Sequence, residues 1–74
     1  MFMSYIGKEF EYRGFKTIVK FSEEDNLYYG KIENTTDLIS FHSENTEGFY
    51  NSFVDAVEDY LEFCKEVNKT PIKL

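Results

Sequence analysis

The longest regular pattern in the chain runs from Glu47 to Asn68, where apolar and polar positions recur with the period of a helix. At about 100° per residue the side chains separate onto two faces. The apolar face carries Phe49, Tyr50, Phe53, Val54, Ala56, Val57, Tyr60, Leu61, Phe63, Cys64 and Val67. The opposite face carries Asn51, Asp55, Glu58, Asp59, Glu62, Lys65 and Glu66. The pattern predicts one amphipathic helix roughly 30 Å long.

Residues at both ends of this segment suit a helix boundary. Thr46 is a candidate N-cap, and Asn45 is a second one, because both side chains can accept a hydrogen bond from a free backbone N–H. Lys65 and Lys69 lie at the C-terminal end, where the helix dipole favours cations. Pro71 then prevents the helix from continuing.

The first half of the chain instead shows alternation with a period of two. Residues 15–21, 27–33 and 38–42 are predicted as strands, separated by polar turns at 22–26 and 34–37. Asn26 suits a left-handed turn position, and Gly30 inside a strand indicates close approach of another element, for which Tyr60 is the expected residue. Residues 1–11 fit either an ordered arm or an edge strand, and residues 70–74 could add one short strand.

These elements predict an α+β fold, with a three-stranded antiparallel meander packed on one long helix in the order β-β-β-α. Alternation assigns one sheet face to the helix, namely Thr17, Val19, Phe21, Tyr28, Gly30, Ile32, Ile39 and Phe41. The other face then shows Ile18, Tyr29 and Leu38 beside Lys16, Lys20, Lys31, Ser40 and His42. Because that face is half apolar and uncovered, it is a candidate association surface.

Composition limits what this fold can do. With 74 residues, the chain is predicted to form one domain spanning 1–74. Eight Phe and six Tyr exceed what so small a core can readily hide, which favours a homodimer or a tight partner. The net charge of −6 argues against direct nucleic-acid binding and favours a basic partner. One Cys excludes an internal disulfide, and since no signal peptide or membrane span is apparent, the expected location is the cytoplasm.

The residues capable of chemistry are few. His42 has no second His to join it, so a solvated side chain at a strand end is a better interpretation than a metal ligand. Cys64 falls on the apolar face of the helix, which indicates packing and not nucleophilic chemistry. We therefore expect no metal, no cofactor and no enzymatic activity.

Carboxylates follow one arc of the predicted helix, at Asp55, Glu58, Asp59, Glu62 and Glu66. Like charges four residues apart destabilise an isolated helix, so helix stability alone does not explain the pattern. Three interpretations stay open: a solvated acidic face, an electrostatic docking surface for a basic protein, and a metal-dependent nuclease. The last is the poorest, since acids along one exposed helix do not converge on an ion.

Several segments together resemble the HicB-type antitoxin domain. They are Phe21-Ser22-Glu23-Glu24-Asp25, Tyr29-Gly30-Lys31, Asp37-Leu38-Ile39-Ser40-Phe41 and the run from Asp55 to Cys64, DAVEDYLEFC. The resemblance extends over about residues 12–71. It implies an incomplete ribonuclease-H-like fold without that enzyme's catalytic acids, acting as the antitoxin of a type II toxin-antitoxin system. The implied partner is a small basic HicA-type toxin, an mRNA-cleaving ribonuclease whose active site the antitoxin covers.

The sequence departs from the family pattern in three places. Many members continue into a C-terminal DNA-binding domain, whereas this sequence ends at Leu74, so we expect neither that domain nor operator binding. His42-Ser43-Glu44-Asn45 stands where relatives more often have an acidic residue followed by Gly and Asp. Glu47-Gly48-Phe49 lacks their acidic first helical turn.

An inhibitor that covers a phosphate-binding groove should present carboxylates to it. The predicted toxin-binding residues are Glu23, Glu24, Asp25, Tyr28 and Tyr29 in and beside the first turn, and Asp55, Glu58, Asp59 and Glu62 on the helix. We expect the turn to enter the active site and the helix to steer association. The alternative is an orphan dimerisation or adaptor domain of the same fold, with no toxin partner.

Overall fold

A computed structural model describes residues 5–71, which fold into five strands and one helix. In chain order the elements are β1 (Glu9–Tyr12), β2 (Phe15–Ile18), β3 (Lys20–Ser22), β4 (Leu27–Lys31), β5 (Ser40–Ser43) and α1 (Thr46–Glu66). β1 and β2 form a two-stranded antiparallel sheet, and a second antiparallel sheet has the order β3-β4-β5. The predicted α+β class, with a three-stranded meander and one helix, is confirmed.

The predicted strand over residues 15–21 is interrupted at Val19. Its N–H donates to the Lys8 carbonyl at 2.9 Å, and its carbonyl accepts from the Gly7 N–H at 2.8 Å. The pairing with β4 keeps one register on both sides of the break. Before it, the Glu33 N–H donates to the Lys16 carbonyl at 2.8 Å, and after it Lys20 lies opposite Tyr29 in the same register. β2 and β3 are therefore successive halves of the first strand of the meander.

β1 is an edge strand, one of the two alternatives predicted for residues 1–11, of which residues 1–4 lie outside the described residues. β1 turns into β2 through Arg13 and Gly14, both at positive φ (54° and 85°). Two successive left-handed residues give the turn that matches the twist of a tight hairpin. The hairpin thus extends the meander at the side away from β5.

The other strand boundaries shift slightly from the predicted ones. β4 ends at Lys31 and β5 begins at Ser40, although a bond from Ile32 N–H to the Ile39 carbonyl at 2.9 Å prolongs their pairing. Thr70 and Pro71 lie outside any strand, so the predicted 70–74 strand does not begin where expected. The rest of that segment, residues 72–74, lies outside the described residues.

α1 confirms the predicted helix, and Asn45, the second candidate, is its N-cap. The Asn45 side-chain oxygen accepts from the Gly48 N–H at 2.7 Å. The buried side of the helix consists of Phe49, Phe53, Val57, Tyr60 and Cys64. This stripe is narrower than the predicted apolar face, because Tyr50, Phe63 and Val67 are exposed.

The sheet presents its predicted face to the helix, since Thr17, Val19, Gly30 and Ile32 are all buried. On the opposite face Tyr29 and Leu38 are exposed, also as predicted. The pairing of Gly30 with Tyr60 is wrong. A Cβ on Gly30 would lie 3.1 Å from Cζ of Phe49, whereas the Tyr60 ring packs against Phe15 at a centroid distance of 5.8 Å.

Candidate protein-binding surfaces

The acidic turn between β3 and β4 projects three carboxylates into solvent. Glu23, Glu24 and Asp25 are all exposed. The Asp25 N–H donates to Oγ of Ser22 at 3.3 Å, and Asn26 closes the turn at a φ of 55°. Its predicted left-handed conformation is confirmed. A short turn held at both ends therefore displays a compact cluster of negative charge.

The two predicted tyrosine anchors lie on opposite faces of the sheet. The Tyr28 ring packs against Phe21 (centroids 4.9 Å apart) and edge-on against Tyr5 (5.7 Å), so its role is structural. Tyr29 points away from the helix and keeps 42% of its surface exposed. Of the two, Tyr29 is the side chain available to a partner.

The helix acids lie along one arc of α1 and border two different grooves. Asp55 and Asp59 line a groove on the β5 side of this arc, whereas Glu58 and Glu62 line a second groove beside Arg13. Glu58 is already engaged there, because its carboxylate accepts from the Tyr12 hydroxyl at 2.6 Å and lies 3.0 Å from Nε of Arg13. The same contacts raise the pKa of Arg13, through the Tyr12 hydrogen bond and the charge of Glu58. Glu58 thus ties the β1–β2 hairpin to the helix.

The groove between β5 and α1 has a volume of about 550 Å³. Apolar groups dominate its lining, including Ile39, Phe41, Ala56 and Phe63, and the last of these keeps 53% of its surface exposed. The two carboxylates of Asp55 and Asp59 border it. The sequence pattern predicted that these acids lie on the polar face of the helix. It did not predict that they lie beside a strand edge, because this depends on the rotation of the helix relative to the sheet.

A four-residue network that the sequence did not suggest includes Tyr60, one of the residues that line this groove. The Asp37 carboxylate accepts from the Tyr60 hydroxyl at 2.7 Å and from Nζ of Lys69 at 2.7 Å, while Thr35 lies 3.3 Å from the same hydroxyl. Both hydrogen bonds lower the pKa of Asp37, and the bond from Lys69 has the larger effect. Burial raises the pKa of Tyr60. The network fixes the β4–β5 connection to the end of α1.

The two residues considered for other chemistry are placed as predicted. His42 is exposed on β5, and Cys64 is buried in the core with 1% of its surface accessible. Across residues 5–71, no three His, Cys, Asp or Glu side chains are grouped so as to hold a metal ion.

The acidic turn and the distal helix acids lie at opposite ends of the described structure. Tyr28 pairs with Ser43, just before α1 begins, so the turn lies at the N-terminal end of the helix. α1 then runs back along β5, with Phe41 near Phe49 and Asp37 near Tyr60. The described residues extend over 42 × 19 × 18 Å. A partner that contacts both acidic sets must therefore cover the long dimension.

Comparison of the chain with protein-family profiles, curated proteins and solved structures gives no match. Among the described residues, no helix has the length and apolar character needed to cross a membrane.

Proposed function

We propose that this chain is a non-enzymatic antitoxin that acts in the cytoplasm by binding and covering the active site of a small basic ribonuclease of the HicA type. The observation that carries the proposal is the exposed acidic turn Glu23-Glu24-Asp25 between β3 and β4, where the Asp25 N–H donates to Oγ of Ser22. A site that binds RNA phosphates is positively charged, so a compact cluster of carboxylates is suited to occupy it. The resemblance to HicB-type domains, with their partial ribonuclease-H-like fold, supports the same partner.

The two acidic sets take different roles in this proposal. The turn enters the active site, with Tyr29 beside it as the aromatic anchor. Asp55, Asp59 and Glu62 are exposed along α1 and steer the basic partner during approach. Glu58 contributes less to steering than the sequence suggested, because Arg13 already offsets its charge.

The test is an RNA-cleavage assay with the product of the neighbouring reading frame, purified alone and mixed with this chain. The wild-type chain should form a stable complex and stop cleavage. Replacing Glu23, Glu24 and Asp25 by Ser should speed dissociation and restore cleavage. Replacing Asp59 and Glu62 by Lys should mainly slow association and weaken its dependence on salt.

A matched control is the pair Glu9→Gln and Glu11→Gln, because both residues are exposed on β1, away from the turn and from the groove. This variant should inhibit like wild type. Full inhibition by the turn variant together with loss of inhibition by the helix variant would reverse the two roles. An unaffected rate of cleavage with the wild-type chain would refute the proposal.

A second candidate is a dimerisation or adaptor domain. It is favoured by the outer sheet face, where Tyr29 and Leu38 expose 42% and 84% of their surfaces beside half-buried Ile18. Apolar side chains in such a position are typical of association surfaces. The two candidates share Tyr29, so a homodimer that buries this side chain would leave the acidic turn without its aromatic anchor.

A further inference from the structure

β5 is an edge strand that lines the groove beside α1. It pairs with β4 on one side, and the sheet order leaves its other side open among the described residues. In an antiparallel ladder, alternate residues direct their N–H and C=O groups to the same neighbour. The Ile39 carbonyl accepts from the N–H of Ile32, the residue after β4. Phe41 lies two residues further on, opposite Gly30 in the same register. Ser40 and His42 therefore direct their backbone groups outward.

This edge lacks the devices that usually prevent pairing with another chain. Exposed edges commonly carry charged residues, proline or a bulge. Each of the other four strands contains at least one Lys or Glu, whereas β5 reads Ser40-Phe41-His42-Ser43. It is the one strand of the described structure without a lysine, arginine or carboxylate.

The spacing of the bordering carboxylates fits an added strand. Asp55 and Asp59 are four residues apart on α1, which separates them by roughly 6 Å along the helix axis. On an extended chain, side chains on one face recur about every 6.8 Å. Two alternate long cationic side chains could thus lay their stems over Phe63 and Ala56 and place their charged groups at the two carboxylates.

We infer that the β5 edge binds an extended segment of a basic partner protein by strand addition, with Lys or Arg at alternate positions facing α1. Backbone bonds to Ser40 and His42 supply affinity, and the carboxylate pair selects the cationic pattern. A second copy of this chain fits poorly. Symmetric β5–β5 pairing would bring the Asp55 and Asp59 carboxylates of the two copies towards each other, and like charges repel.

The inference extends the proposed function to a second contact surface and is tested separately, since it requires no ribonuclease. The probe is a fluorescein-labelled heptapeptide in which threonine and lysine alternate. Two control peptides keep its three lysines: one places them consecutively, and one is N-methylated on the alternate residues that would bond to β5. In low salt, we expect the alternating peptide to bind at least about ten-fold more tightly than either control.

Substitutions in the protein test the groove between β5 and α1 independently of the peptide controls. Asp55→Asn with Asp59→Asn should weaken binding of the alternating peptide by about ten-fold, as two partly exposed charge pairs allow. Phe63→Ser should also weaken it, without unfolding the chain, because Phe63 is more than half exposed. The pair Glu9→Gln and Glu11→Gln removes the same charge from β1 and should leave binding unchanged.

Amide chemical shifts then locate the contact. On titration with the alternating peptide, the Ser40 and His42 amide resonances should move most. Equal binding of all three peptides would mean that net charge alone attracts them, and the inference would fail. Absence of binding at millimolar peptide, or shifts confined to the β3–β4 turn, would overturn it as well.

Discussion

At the scale of single residues, Gly30 is a sheet position with almost no room for a side chain. A Cβ built there would lie 2.8 Å from Oγ1 of Thr17, 3.1 Å from Cζ of Phe49 and 3.2 Å from the Ile18 carbonyl oxygen. Thr17 cannot move aside easily, because it is fully buried and its hydroxyl donates to the Lys31 carbonyl at 2.7 Å. The absence of a side chain at this position therefore lets the helix approach the sheet.

Gly30→Ala should lower the free energy of unfolding by about 1–3 kcal/mol, the usual cost of overpacking. The measurement is the urea midpoint, with Lys31→Ala as control, since that neighbouring side chain is exposed. A Gly30→Ala midpoint equal to that of wild type would contradict the close approach of Phe49 to Gly30.

Residue-scale predictions succeeded where local chemistry decides the outcome. The left-handed Asn26 and the burial of Cys64 follow from the properties of those side chains in their own segments. The prediction that Tyr60 lies against Gly30 was wrong, because the position of a helix along a sheet depends on the connection between the two elements. The hydrogen bond from the Tyr60 hydroxyl to Asp37 was not predicted for the same reason. The two residues are 23 positions apart, and no local pattern links them.

At the scale of elements, Asp37 joins the β4–β5 connection to the end of α1. Its lowered pKa means that the folded state favours the ionised carboxylate more than the unfolded chain does. The resulting stabilisation is fully present above the unfolded pKa of about 3.9 and is lost as pH falls through the lower folded pKa.

Asp37→Asn should therefore be less stable than wild type at neutral pH, and the difference should shrink as pH falls below about 4. Urea midpoints of both proteins at a series of pH values between neutral and acid measure this. Lys69→Met removes the other partner of the ion pair and should reproduce much of the loss at neutral pH. A difference that stays constant across the series would show that Asp37 acts through packing and not through its charge.

Elements with a long repeat were predicted well, whereas strand boundaries were not. The helix was expected over residues 47–68 and spans Thr46–Glu66, since six turns of consistent periodicity outweigh any single residue. The interruption at Val19 was not foreseen, because its backbone pairs with Gly7 and Lys8, eleven or more residues away. The arc of acids on the helix was predicted, but which of them border β5 and which border Arg13 depends on the tertiary packing.

At the scale of the whole molecule, the outer sheet face predicts self-association. We expect a homodimer at micromolar concentration, because Tyr29 and Leu38 are exposed on a face that no element covers within residues 5–71. Sedimentation equilibrium should give twice the chain mass of 8.8 kDa, and Leu38→Lys should shift the population to monomer. Leu38 keeps 84% of its surface exposed, so this substitution should not unfold the monomer. A single 8.8 kDa species at high concentration would contradict the prediction.

The buried thiol of Cys64 can report local separation of the end of α1 from the sheet. The chain has one cysteine, on the last turns of α1, with 1% of its surface accessible. A thiol reagent can reach it only when that part of the helix leaves the sheet. The rate of modification, compared with that of the unfolded chain, therefore measures how often the helix end separates. No dye or substitution needs to be introduced, and a partner that binds along α1 would register as protection of one sulfur atom.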